Sequence, residues 1–206
     1  MTAELRGLSV VERIMPALRA GTVVADRAFD TVYPWEVRRH SSRHWTPVGV
    51  AVRAARFLAR SPAARVLDVG AGPGKFCIVA AAVSGARVRG IERRAHLVDA
   101  ARDAAHVLSV DIDVVHGELD DVDGASFDAF YLFNPFAENL ERGHFAIDDS
   151  VETNPARFNR DVTTCERMFA EARMGTRVAT FCGFGGVMPE RWQCVSGGPL
   201  SLWEKR

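Results

Sequence analysis

The chain reads as an α/β protein, a mostly parallel sheet of about seven strands with helices on both faces and a hairpin at its end. Three observations predict it. Short apolar runs rich in β-branched residues alternate with longer stretches of helical spacing, the pattern of strands that are buried on both faces. The first of those runs, Val66-Leu67-Asp68-Val69, breaks at Gly70-Ala71-Gly72-Pro73-Gly74, and helical spacing (Phe76, Ile78, Val79, Val83) begins directly after it. Near the end, residues 191–195 and 200–204 flank Ser196-Gly197-Gly198-Pro199, the layout of a hairpin.

Size and composition bound the rest. A length of 206 residues fits one domain with a small appendage, and 48% hydrophobic residues suffice for a proper core. Lys+Arg and Asp+Glu are 26 each, so no overall charge points to nucleic acid or membrane. Lysine is confined to Lys75 and Lys205, and arginine supplies the remaining basic residues. No apolar run approaches the ~20 residues of a membrane span, and residues 1–20 carry charges throughout in place of a signal-peptide core. Cys77, Cys165, Cys182 and Cys194 are scattered without metal-ligand spacing. A cytoplasmic protein with reduced thiols and no metal is the expectation.

In chain order, Leu5, Leu8, Val11, Ile14, Met15 and Leu18 predict a helix over 4–20, stopped at Gly21. A short helix is expected over 22–30 and a turn at Tyr33-Pro34. Thr46 is placed to cap a helix running from Pro47 to about Ala59, with Trp45 and Val50 as a hydrophobic staple. Residues 37–65 hold seven arginines and no acid, which reads as a solvated helix face or as a patch for an acidic partner. Arg87–Ile91 is the second strand, 94–108 a helix, and 111–115 the third strand. Residues 129–133 are a wholly apolar fourth strand, and 177–181 the fifth. Weak periodicity over 137–154 predicts a cap inserted after the fourth strand, and 155–173 returns to helical spacing. The organisation expected is an N-terminal helical lid, 1–45, on an α/β domain, 46–206.

The glycine turn is the first chemical signal. Strand, glycine turn and helix bring backbone close to a ligand at a helix N-terminus. A dinucleotide fingerprint, G-x-G-x-x-G, is offset here: Lys75 stands where its third glycine belongs, and Pro73 removes an amide donor. Asp68, two residues before Gly70, would repel a pyrophosphate but bind an ammonium or a hydroxyl. Glu92 ends the second strand ~20 residues on, where a carboxylate accepts both hydroxyls of a ribose. A glycine-rich βα turn without a ligand is the plain alternative. The second signal is Asn134-Pro135-Phe136 at the carboxyl end of the fourth strand, the edge where open α/β sheets bind ligands. An Asn-Pro turn that merely ends the strand is its structural alternative.

Asp68-x-Gly70-x-Gly72-x-Gly74 closely resembles the first motif of class I S-adenosylmethionine (SAM) methyltransferases, and the resemblance covers about residues 45–205. It implies the Rossmann-like fold of that family, SAM as cofactor and S-adenosyl-L-homocysteine as product. Asp68, Gly70, Ala71, Gly72 and Gly74 would hold the methionine part, and Glu92 the ribose. Glu118 with Leu119 would meet the adenine, and Arg93 would stack on it. The Thr46-Pro47 helix start would fold over the methionine end and bring His44 and Trp45 near the methyl group. Asn134-Pro135-Phe136 resembles the N-P-P-[YF] motif of amino-group methyltransferases with one proline missing. There Asn134 and the Pro135 carbonyl would orient a nitrogen on which Phe136 stacks, and catalysis would come mostly from positioning.

Within that family the chain is similar to bacterial methyltransferase-domain proteins with a His-Trp-Thr-Pro start, and distantly to lysine N-methyltransferases. The expected activity is methyl transfer to an amine of a protein side chain or small molecule, with no evident general base. Three alternatives stand beside it: a nucleic-acid N-methyltransferase docking through the 37–65 arginines, a SAM-binding partner subunit without turnover, and an NAD-dependent oxidoreductase.

Overall fold

A computed structural model describes residues 9–140 and 146–206. The leading part of the helix expected over 4–20, and five positions of the 137–154 cap, lie outside the described residues.

Helix α1 (Val10–Arg19) starts at a capping box, in which Ser9 accepts from the Glu12 amide and Glu12 from the Ser9 amide. Three short helices follow: α2 (Asp26–Phe29), α3 (Trp35–Arg38) and α4 (Ser41–His44). Helix α5 (Val48–Leu58) begins one residue later than its sequence suggests. Pro47 is its cap residue, and the Val48 amide donates to Asp26 Oδ1 at 2.8 Å. Thr46 therefore does not cap. Its hydroxyl instead lies 3.0 Å from that of Tyr131, deep under the sheet edge. A cap supplied from 22 residues away leaves no local signature.

The sheet is β1 (Arg65–Val69), β2 (Arg87–Glu92), β3 (Asp113–His116), β4 (Ala129–Phe133), β5 (Arg177–Phe181), β6 (Trp192–Ser196) and β7 (Leu200–Lys205). Their spatial order is β3-β2-β1-β4-β5-β7-β6. The first five strands pair in parallel, β7 runs antiparallel beside β5, and β6 pairs with β7 on the outside. The terminal hairpin is thus present with its second strand inserted and its first at the edge. Helices α6 (Lys75–Ser84), α7 (Ala95–Leu108) and α8 (Pro155–Glu171) complete the domain.

Alternation along the central strands sorts two cores. Val66, Ala129, Tyr131 and Ala179 face α1, α5, α6 and α7. Leu67, Val69, Phe130, Leu132 and Val178 face α8 through Val162, Cys165, Met168 and Phe169. Phe76 stacks on Tyr131 with centroids 3.7 Å apart, pinning α6 beneath the glycine turn. No helix among the described residues is long and apolar enough to cross a membrane.

The short N-terminal helices are fastened by charge. Lys75, 2% exposed, puts its Nζ 2.7 Å from both Asp26 and Asp30. Ser41 donates to Asp30 at 2.5 Å, which ties α4 to the same cluster. Lys75, one place past the glycine turn, holds the segment that carries His44 and Trp45 over it.

Candidate active site

A cavity of about 290 Å3 opens at the carboxyl ends of β1, β2 and β4. That is near the lower bound for a small-molecule site, about 300 Å3. Its floor is the β1–α6 turn. Gly70, at φ +72°, has no room for a side chain, because a Cβ there would lie 2.8 Å from Pro135 Cβ. Gly72, at φ +54°, meets the Trp45 ring in the same way at 2.9 Å. Both glycines are required twice over, by left-handed backbone and by close packing.

Glu92 is buried in the cavity wall, where it accepts from the amides of Gly72 and Arg94 at 2.9 Å each. Burial raises its pKa, and those two amides oppose the shift. Each carboxylate oxygen keeps a lone pair for a further donor. Asp68 lies apart, in a side pocket of about 20 Å3 that shares His44, Trp45, Gly70 and Phe133 with the main cavity. The Cys77 thiol donates to Asp68 at 3.3 Å, and burial pushes the Asp68 carboxyl up to about 7. Ala71 and Thr46 border that same side pocket.

At the far wall, Glu118 pairs with Arg157 of α8, while Leu119 packs into the α8 core and also lines the cavity. Arg93 donates to Glu138 and to the Glu152 carbonyl, at 3.3 Å each. Asn134 takes a left-handed backbone at φ +38°. Its amide donates to the Gly183 carbonyl at 3.1 Å and its carbonyl accepts from the Ala137 amide, and the residue lines the cavity. Pro135 also lines the cavity. Phe136, 5% exposed, packs with the α8 core and also lines the cavity. The half-buried aromatic at this edge is Phe133, whose ring lies 4.7 Å from that of Phe181.

Other residues here escape sequence reasoning. Arg94, 2% exposed, holds Glu138 with two hydrogen bonds of 2.8 and 3.0 Å, and Asp148 with one of 3.1 Å to its carboxylate and one of 3.5 Å to its carbonyl. It thereby clamps the start of the cap and its described far part onto β2. Asp148 is occupied by Arg94 and Ser150, with His96 3.2 Å away. Buried charge is tolerated where the pairing is complete. No group of three or more His, Cys, Asp or Glu side chains suited to a metal occurs among the described residues.

Residues 66–147 match a family model described as a methyltransferase domain, a span that runs from β1 through the start of the cap. Over that span the chain is similar to methyltransferase domains, in keeping with the fold expected from its sequence. Solved structures agree in fold. An RNA methyltransferase from Salinibacter ruber, in complex with S-adenosyl-L-homocysteine, superposes with a TM-score of 0.52 at 22% identity, covering 77% of this chain and 90% of that one. TrmN from Thermus thermophilus superposes with a TM-score of 0.57 at 18% identity, over 88% of this chain and 53% of TrmN. The chain thus spans about half the length of TrmN. No curated protein matches it.

SAM fits the residues present. The glycine floor admits backbone contact, Glu92 keeps lone pairs at the end of β2, and apolar Ile91 and Leu119 flank it for a base. Asp68 supplies a carboxylate on the glycine side, reached through the space that Trp45 and His44 border. When bound, SAM supplies an activated methyl on a sulfonium.

Proposed function

We propose that this methyltransferase places the SAM methyl on a nitrogen, with Asn134 as the residue that orients the acceptor. The observation that carries the reading is Asn134 itself, which lines the cavity at the carboxyl end of β4 on a backbone bent to φ +38° and has no side-chain hydrogen bond among the described residues. Asparagine takes left-handed backbone more readily than most non-glycine residues, and that turn ends β4 at the cavity. The carboxamide oxygen accepts from an N–H and so turns the nitrogen lone pair towards the methyl. Glu92 would hold the ribose and Asp68 the ammonium of the cofactor. In this reading the Glu118 side chain, paired with Arg157, meets the adenine side less directly than Leu119 does. The narrow cavity under the Arg94 clamp favours a slender acceptor, an amine of a small molecule or a protein side chain. We place this reaction in the cytoplasm, in keeping with four free cysteines.

The test is transfer of isotope-labelled methyl from SAM into a cell lysate separated into protein, nucleic-acid and small-molecule fractions. Label in protein or small molecules that Asn134→Ala reduces at least ~10-fold, the worth of ~1.4 kcal/mol of lost orientation, supports the proposal. Equal label with Asn134→Ala contradicts it.

A second reading has its own observation. Arg38, Arg39, Arg53 and Arg56 are exposed and have no acidic partner among the described residues, whereas Arg60 and Arg65 pair with Glu204 and Asp128. Label in nucleic acid, with affinity falling steeply in salt, would favour an RNA or DNA acceptor.

A further inference from the structure

We infer that His44 is the general base of this methyltransferase, taking the proton of the acceptor nitrogen as the SAM methyl is transferred. The inference rests on the reading above of where cofactor and acceptor lie. His44 ends α4 and borders both the main cavity, with Asn134, and the side pocket, with Asp68 and Gly70. It stands where the methionine end of the cofactor meets the acceptor side. Its described contacts are ring contacts, 5.9 Å to His40 and 6.0 Å to Trp45, and neither ring nitrogen has a hydrogen-bond partner among the described residues.

The other candidates around the cavity are engaged. Glu92 accepts two backbone amides, Glu138 accepts from Arg93 and Arg94, and Glu118 and Asp161 both pair with Arg157. Asp68 takes the Cys77 proton donor, Thr46 sits against Tyr131, and Lys75 is held by Asp26 and Asp30. The described lining of the main cavity contains no tyrosine, cysteine or lysine.

His44 is also in the right protonation state. Burial lowers its pKa from the ordinary histidine value, with His40, Arg43 and Arg94 adding to the effect and Glu138 opposing it. Its imidazole is therefore neutral at pH 7 and able to accept. In the step itself, the acceptor lone pair forms the new N–C bond and the C–S bond breaks. Its electron pair returns to sulfur, leaving a neutral thioether. The proton shed by the nitrogen passes to His44, and the imidazolium returns it to water.

The test needs no acceptor. Sinefungin carries an amine where SAM carries its methyl, and S-adenosyl-L-homocysteine carries nothing there. Calorimetric affinities of both are measured from pH 5 to 8 for the wild type and His44→Gln. Changes at Asp68, whose carboxyl faces the amino-acid part common to both ligands, cancel in the ratio of the two affinities. The expected result is a ratio favouring sinefungin that rises about tenfold through the His44 titration, as a hydrogen bond from an ammonium to neutral imidazole forms. In His44→Gln the ratio should be flat, because glutamine accepts at every pH. A flat ratio in the wild type overturns the assignment while leaving the cofactor site intact. Failure of both ligands to bind the wild type at any pH overturns the cofactor site, and the assignment with it. The wild-type profile decides even where His44→Gln folds poorly.

Discussion

Lys75→Met removes a buried ammonium without changing the length or apolar volume of the side chain much. Its two partners differ. The Asp30 side chain is 11% exposed and that of Asp26 is 48% exposed, though both lie 2.7 Å from Lys75 Nζ. Breaking a buried pair on one side strands the other charge, at about 3–5 kcal/mol. A half-exposed partner is solvated, and its share is below about 1 kcal/mol. Lys75→Met should therefore cost about 3 kcal/mol or more, nearly all of it through Asp30. The assay is urea unfolding at pH 7 followed by circular dichroism, with the cycle completed by Asp30→Asn and Asp26→Asn. Coupling of Lys75 to Asp30 should be at least about 2 kcal/mol, and coupling to Asp26 less than half of that. Asp26→Asn keeps an oxygen for the Val48 amide, so the helix cap survives in that variant. A loss within 1 kcal/mol for Lys75→Met, or equal coupling to both aspartates, would refute the view that Lys75 fastens the N-terminal helices.

Two further predictions concern the floor of the site. Asp68 has its pKa raised to about 7 in the fold, so its contribution to stability is full below the unfolded value, near 4, and is lost as pH rises through 7. Thermal melts of the unliganded protein should show that decline, worth about 4 kcal/mol, and Asp68→Asn should flatten it; an unchanged profile in the variant would show that another group titrates. Gly72→Ala forces a Cβ to within 2.9 Å of the Trp45 ring at a positive φ, and should cost about 1–3 kcal/mol in chemical denaturation. A variant as stable as the wild type would mean that Trp45 yields freely.

Much of the fold is legible in the sequence because strands buried on both faces write their burial locally. Ala129–Phe133 is apolar throughout, and it lies mid-sheet between β1 and β5. The glycine turn is legible for a similar reason, since left-handed backbone and close approach leave few residue choices. What escapes the sequence is whatever depends on partners distant along the chain. Thr46 has the residue type of a helix cap, but Asp26 reaches the Val48 amide first. Arg94 looks like a solvated arginine beside Arg93, and only the folded cap brings Glu138 and Asp148 to it. Phe136 follows Asn-Pro as a stacking ring would; it lines the cavity and also packs with the α8 core, and no local signal foretells that second contact. The hairpin is evident from Gly197-Gly198-Pro199, but which of its strands joins β5 is settled by long-range pairing.

The most direct test of the site is calorimetric titration of S-adenosyl-L-homocysteine and NADH into the wild type and Glu92→Ala, each checked for folding by circular dichroism. The wild type should bind S-adenosyl-L-homocysteine and not NADH, and folded Glu92→Ala should bind it more than tenfold more weakly, a loss of ~1.4 kcal/mol or greater. Equal affinity in the two proteins, or a preference for NADH, would contradict this expectation.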